Sequence, residues 1–273
     1  MSKQKHFGKC ALCGKEGKLS FEHIPPESAF NDQPAKTVSF MTALSNKDRL
    51  PWDFNGLKYT NHQRGMGDYT LCEACNNNTG SWYGEAYTYI ASIAQQMLSM
   101  TIPPDKDTLV IKDAYPLRFV KQIISMFCSL NPTSNIADLR QFVLDKNATG
   151  IDKTKYRLHM FFTRSTISRT VPYIVKVLSS DRILCSMGVS EIVVPPLGFI
   201  LYFDPTEDYC FDGVDITGFA DCKYDDKAKI AIPLCILDVN HFFPTDYRTK
   251  DEILLVRKET EEKNIRNGSD ENI

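Results

Sequence analysis

The sequence predicts an α+β protein in three stretches: a cysteine-stapled N-terminal unit of short strands and loops, a helical segment, and a mainly antiparallel β C-terminal domain. Three observations predict it. Two Cys-x-x-Cys pairs, Cys10 with Cys13 and Cys72 with Cys75, bracket a stretch to about residue 80 that is rich in Gly, Pro, Asn and Lys and lacks long periodic runs. Such a segment needs a staple to hold its short elements together. From Ser81 apolar residues recur at helical spacing, and from Tyr156 the chain turns β-branched and aromatic with turn residues between the runs.

In chain order, Trp82, Ala86, Ile90, Ile93 and Met97 fall on one face of an amphipathic helix, with Thr79 or Asn78 as the expected N-cap. Pro103 and Pro104, followed by a charged run, end that helix. They set the expected boundary between an N-terminal unit, 1–102, and a C-terminal domain, 103–258. Residues 117–130 and 136–144 read as helices, the second with Ser134 and Asn135 as capping candidates. The runs YRLHMFFT, VPYIVKVL, DRILCSM, SEIVV and LGFILYF read as strands. Residues 259–273 are polar with little to bury, so a disordered tail is expected.

With 42% hydrophobic and 24% charged residues over 273 positions, the chain has the composition of a folded globular protein rather than a disordered or fibrous one. A net charge of -2 excludes a surface uniformly coated for polyanions, although a local patch suffices to steer phosphate. Residues 1–80 carry ten Lys and Arg against eight Asp and Glu, the remainder 22 against 26. No run of about 18 apolar residues exists and the start lacks a signal-peptide stretch, so no membrane association and a cytoplasmic location are expected. Reducing surroundings disfavour disulfides. The two Cys-x-x-Cys pairs are therefore read as a structural Zn²⁺ site of four thiolates. Cys128, Cys185, Cys210, Cys222 and Cys235 have no matched spacing and read as buried thiols.

Between the pairs lies FEHIPPESAF, and the second pair opens LCEACNNNTGSWYGEAY. In this order the elements resemble the zinc-knuckle branch of the HNH, or ββα-metal, endonucleases over roughly residues 7–100: Cys-x-x-Cys, Glu22-His23 followed by Pro25 and Pro26, then Cys-x-x-Cys with Asn76 directly behind. The resemblance implies a treble-clef-like ββα unit that hydrolyses phosphodiester bonds in DNA, with RNA not excluded, and a role in restriction or antiviral defence. It makes His23 the base that deprotonates water. Glu22 and Asn76 become oxygen ligands of a catalytic Mg²⁺ or Mn²⁺, with Asn77 the alternative to Asn76.

The residue types suit that chemistry on their own. Neutral imidazole, with a pKa of about 6.5, can take a proton near neutral pH, and carboxylate and amide oxygens suit a hard cation. The family's middle Asn, which steadies the loop carrying the base, falls on Asn61 in preference to Asn55. Arg64 is a candidate phosphate contact, against the plainer reading of a solvated turn. Without the knuckles His23 would read as a turn histidine stiffened by prolines. Trp82 and Tyr83 read as core, and His159 as a strand histidine. The competing function is a zinc-stapled module that binds nucleic acid or protein without cutting. Oligomeric state and the role of 103–258 are not readable from the chain.

Overall fold

The computed structural model of the protein describes residues 6–45, 49–100, 108–134, 136–180, 183–206 and 210–270. It opens with β1 (Phe7–Lys9) and β2 (Glu16–His23), followed by β3 (Ala35–Thr37), α1 (Phe40–Leu44), β4 (Thr60–His62) and β5 (Gly67–Cys72). An almost unbroken helical run follows: α2 (Glu73–Thr79), a π-helical turn at Gly80–Gly84, and α3 (Glu85–Leu98). Strands β1, β2 and β5 form an antiparallel sheet, and β3 pairs with β4 beside it. The chain is thus mixed α and β with mainly antiparallel sheets, as expected.

The helix begins at Glu73 with Cys72 as its N-cap, not at the expected Thr79 or Asn78. The cause is the π turn, which inserts a residue into the hydrogen-bond ladder and rephases the apolar repeat. The periodicity is visible only from Trp82, inside the turn, onward. Tyr83, read as core, is fully buried and donates its hydroxyl to the Val143 carbonyl at 2.7 Å.

Next come β6 (Thr108–Ala114), α4 (Pro116–Leu130) and α5 (Ala137–Leu144). α4 starts with proline, whose missing N–H costs nothing in a first turn. Ile136 occupies the N-cap of α5 without a side-chain bond, so Ser134 does not cap it, and Asn135 lies outside the described residues. The strands β7 (Tyr156–Phe162), β8 (Arg169–Ser180), β9 (Ile183–Val194), β10 (Leu197–Phe203) and β11 (Val214–Asp215) form one antiparallel sheet in the order β11-β7-β10-β9-β8. DRILCSM and SEIVV, expected as two strands, are one. β12 (Ala228–Pro233) returns to pair with β6.

Period-two alternation buries both faces of the five-stranded sheet. Leu158, Met160, Phe162, Phe199 and Leu201 join α4 and α3 in the main core, while Phe161, Val189, Val193, Ile200 and Tyr202 pack on the other side with Val239. There Arg169 and the fully buried Glu191 form a two-pronged ion pair at 2.9 Å. Arg169 also donates to the carbonyls of His241, Phe243 and Asp246, fastening the segment after β12 to the sheet. His159 is buried on this face, against Tyr202 and Phe211.

The boundary expected at Pro103 and Pro104 falls in residues 101–107, outside those described. On either side of it the side chains share one core, from Cys10 and Leu71 through Tyr87 and Ile90 to Phe119 and Phe199. Residues 259–270, expected to be disordered, continue α6 (Lys250–Asp270), and 271–273 lie outside the described residues. Strong helix formers and the Arg257–Glu261 pair at 2.9 Å support that helix. Among the described residues no helix is long and apolar enough to cross a membrane.

Candidate functional site

The four N-terminal cysteines meet at one point. Cys10 and Cys13 sit on the turn between β1 and β2, closed by Cys10 N–H to Lys15 O and Gly14 N–H to Cys10 O, both 2.9 Å. Cys72 ends β5, and Cys75 lies one turn into α2. Their sulfurs all fall within 4.8 Å of one another, with Cys13 and Cys72 Sγ 3.8 Å apart. A tetrahedral Zn²⁺ with Zn–S arms of about 2.3 Å has edges of about 3.8 Å, whereas a disulfide needs about 2.05 Å. Burial by itself pushes the Cys10 thiol up, but backbone N–H groups of Cys72, Cys13 and Leu12 outweigh it and bring it down to about 7. These four side chains can hold a metal such as zinc. Among the remaining thiols Cys128 is buried, Cys222 and Cys235 are half-buried, and Cys210 is exposed, correcting its expected burial. The Cys185 side chain lies outside those described.

The far end of the β2–β5 hairpin carries His23. Its Nε2 lies 2.8 Å from the Arg64 carbonyl oxygen. A carbonyl only accepts, so the neutral ring keeps its proton on Nε2 and leaves Nδ1 with a free lone pair. The loop that aims this ring is pinned by Asn31, a buried residue outside any sequence motif. Asn31 Nδ2 donates to Pro25 O at 2.7 Å and Met66 O at 2.8 Å, and its Oδ1 accepts from Met66 N at 2.6 Å. Gly65 makes this approach feasible: at φ +82 it lies so close that a Cβ would fall 1.9 Å from the Asn31 carbonyl oxygen.

These contacts correct the expected buttress. Asn61 is exposed on β4 opposite Lys36, and Asn55 is exposed in a turn. The loop is steadied by the Asn31 side chain and the imidazole is oriented by a main-chain oxygen of Arg64. A carbonyl leaves no mark in a sequence, and Asn31 sits in FN after an unremarked turn. The Arg64 side chain is exposed, as a phosphate contact requires.

Glu22 departs furthest from expectation. Consecutive strand residues project to opposite faces, and Glu22 points inward, 3% exposed. β5 carries one extra residue opposite the Ser20–Phe21 step. This bulge presents the Thr70 hydroxyl to Glu22 Oε2 at 3.1 Å, and Ser129 of α4 donates to the same oxygen. Burial pushes the carboxyl up to about 7, against the lowering effect of the two hydroxyls. Asn76, on α2, donates its amide to Ser20 Oγ at 3.1 Å and Phe21 O at 2.9 Å, tying the helix to β2. Asn77 is exposed. Among the described residues Glu22, His23 and Asn76 have no hydrogen-bond partner in common. As placed, the enclosed Glu22 carboxylate leaves no open positions for water and phosphate on a divalent ion.

The chain matches no protein-family model, and searches of the curated proteins and of solved structures find no match either.

Proposed function

We propose that the protein is a nuclease that hydrolyses phosphodiester bonds in DNA, with His23 as the base that takes the proton from the attacking water. The carrying observation is the aimed imidazole at the end of β2: Nε2–H is committed to the Arg64 carbonyl, leaving Nδ1 as the acceptor, beside a loop that Asn31 pins to Pro25 and Met66. Arg64, whose carbonyl holds the ring, has an exposed side chain that suits a phosphate oxygen through paired N–H donors. Zinc, held by Cys10, Cys13, Cys72 and Cys75, would fix the hairpin against α2 and hence His23 against the protein body. Support also comes from the ordered resemblance to HNH endonucleases. The Mg²⁺ or Mn²⁺ expected from it would need Glu22, buried in the core, to face the solvent side where His23 stands, so no step is assigned to that ion.

The inward Glu22 favours a second reading, a zinc-stapled module that binds nucleic acid without cutting. One experiment separates the two: nicking of supercoiled plasmid by the wild-type chain and by His23→Ala, across a titration of Mg²⁺ and Mn²⁺. The nuclease reading expects the variant to keep its melt and zinc while nicking falls by roughly 10² to 10⁴. Equal nicking by both would remove His23 from the chemistry, and no cleavage by the wild type of the plasmid or of single-stranded circular DNA would leave the binding module.

A further inference from the structure

Around His23 the surface is aromatic as well as polar. On one side a row of rings runs along the hairpin: His6 stacks on Tyr69 with centroids 3.5 Å apart and planes 9° apart, Tyr69 meets Phe21 edge-on at 5.4 Å, and Phe21 meets His23 edge-on at 5.0 Å. Tyr69 is 37% exposed, and Gly67, opposite His23 in the pairing, has no side chain to displace the Phe21 ring. On the loop side stands Phe30, 48% exposed and at φ 66, a left-handed conformation that a bulky residue rarely adopts. Its neighbour Asn31 holds the backbone there, against Gly65 and Met66.

A solvent-exposed phenylalanine kept in a strained conformation is costly unless the ring has work to do. Flat rings beside a cation are what an unpaired nucleic-acid strand uses: its base faces are free to stack, while a duplex buries them within itself. Tyr69 already holds a heteroaromatic ring, His6, in the geometry a nucleobase takes. Arg64 supplies the charge complement, since no carboxylate lies within ion-pair distance of it among the described residues.

We propose that the strand engaged at His23 is unpaired, its bases stacking on Phe30 and on the His6–Tyr69 platform while a phosphate meets Arg64. The inference rests on the nucleic-acid reading above but not on cleavage, so binding tests it separately. The full zinc-loaded chain carrying His23→Ala is titrated at one salt concentration against labelled oligothymidylate, oligouridylate and a duplex of equal length. The single strands are expected to bind at least about 10-fold more tightly than the duplex. Adding Phe30→Ala or Tyr69→Ala is expected to weaken single-strand binding by roughly 5- to 100-fold with little effect on the duplex, and Phe30→Tyr to restore it.

Duplex binding as tight as single-strand binding overturns the proposal. So does unchanged affinity in both alanine variants once their zinc content and melting are shown to be normal. If the wild type cuts duplex plasmid but spares single-stranded circles, the stacking proposal fails while the nuclease reading stands. If nothing is cut yet the rings govern single-strand affinity, the nuclease reading fails and this one stands. The thymidylate and uridylate arms report whether the bound strand is DNA or RNA, either being the unpaired strand proposed.

Discussion

Glu22 is an acid enclosed by the core, and its energetics follow from that enclosure. Burial disfavours the charged form in the folded state, with two hydroxyls on one oxygen and, among the described residues, no cation bonded to it, and the carboxyl is pushed up from 4.5 to about 7. Between these values the folded protein holds a proton that the unfolded chain has released. Stability from this group is therefore fully present below pH 4.5 and drains away as pH rises towards 7, by roughly 3 kcal/mol in all. Glu22→Gln removes that loss. Chemical denaturation should show the variant about 1–3 kcal/mol more stable at pH 8 and indistinguishable from wild type at pH 4. An equal difference at both pH values would mean that the buried charge is not the cause. The adjacency of Glu22 and His23 was plain in the sequence, but their opposite directions become visible only once residues 16–23 are known to be a strand with a bulge across from it.

At the scale of elements, the hairpin and the loop behind it act as one clamp. Asn31 makes three bonds to the main chain, two to carbonyls and one from Met66 N–H. Asn31→Ala takes the partner from the Pro25 carbonyl and the Met66 N–H, while the Met66 carbonyl keeps the Ile24 N–H, at a cost of about 1–3 kcal/mol. The first consequence is local. Amide exchange at Met66 should speed up, the His23 ring should lose its single tautomer by nitrogen NMR, and nicking should drop while helix content stays unchanged. Met66 protection equal to wild type would dismiss the clamp. The long helices at 116–130 and 85–98 and most sheet strands were legible because their apolar periods are regular. The start of α2 was not, because the π turn breaks the phase. Asn31 was missed because a buttress is a matter of distance across 35 residues, not of local pattern.

Across the whole molecule, the cysteine cage and the five-stranded sheet are joined through packing rather than strung on a linker. α2 runs through the π turn into α3, whose Tyr87 stacks on Phe119 of α4 at 5.8 Å and meets Phe199 of the sheet at 5.9 Å. From the other side, Glu22 on the hairpin takes a hydrogen bond from Ser129 near the end of α4. Zinc binding and folding are one process in small metal sites, so zinc loss from this cage should be felt where the sheet begins. Cys72→Ser removes one thiolate and spares the start of α2, because the Cys72 side chain makes no capping bond there and serine is a favourable N-cap residue. Calorimetry is expected to show a single endotherm at a lower temperature than wild type, with near-ultraviolet aromatic signals and the helical signal lost together. Direct metal analysis should find less than one zinc per chain. A second transition retained at the wild-type temperature would show instead that the sheet's core stands without the cage, and a full zinc complement with an unchanged melt would show that the cage is not a staple.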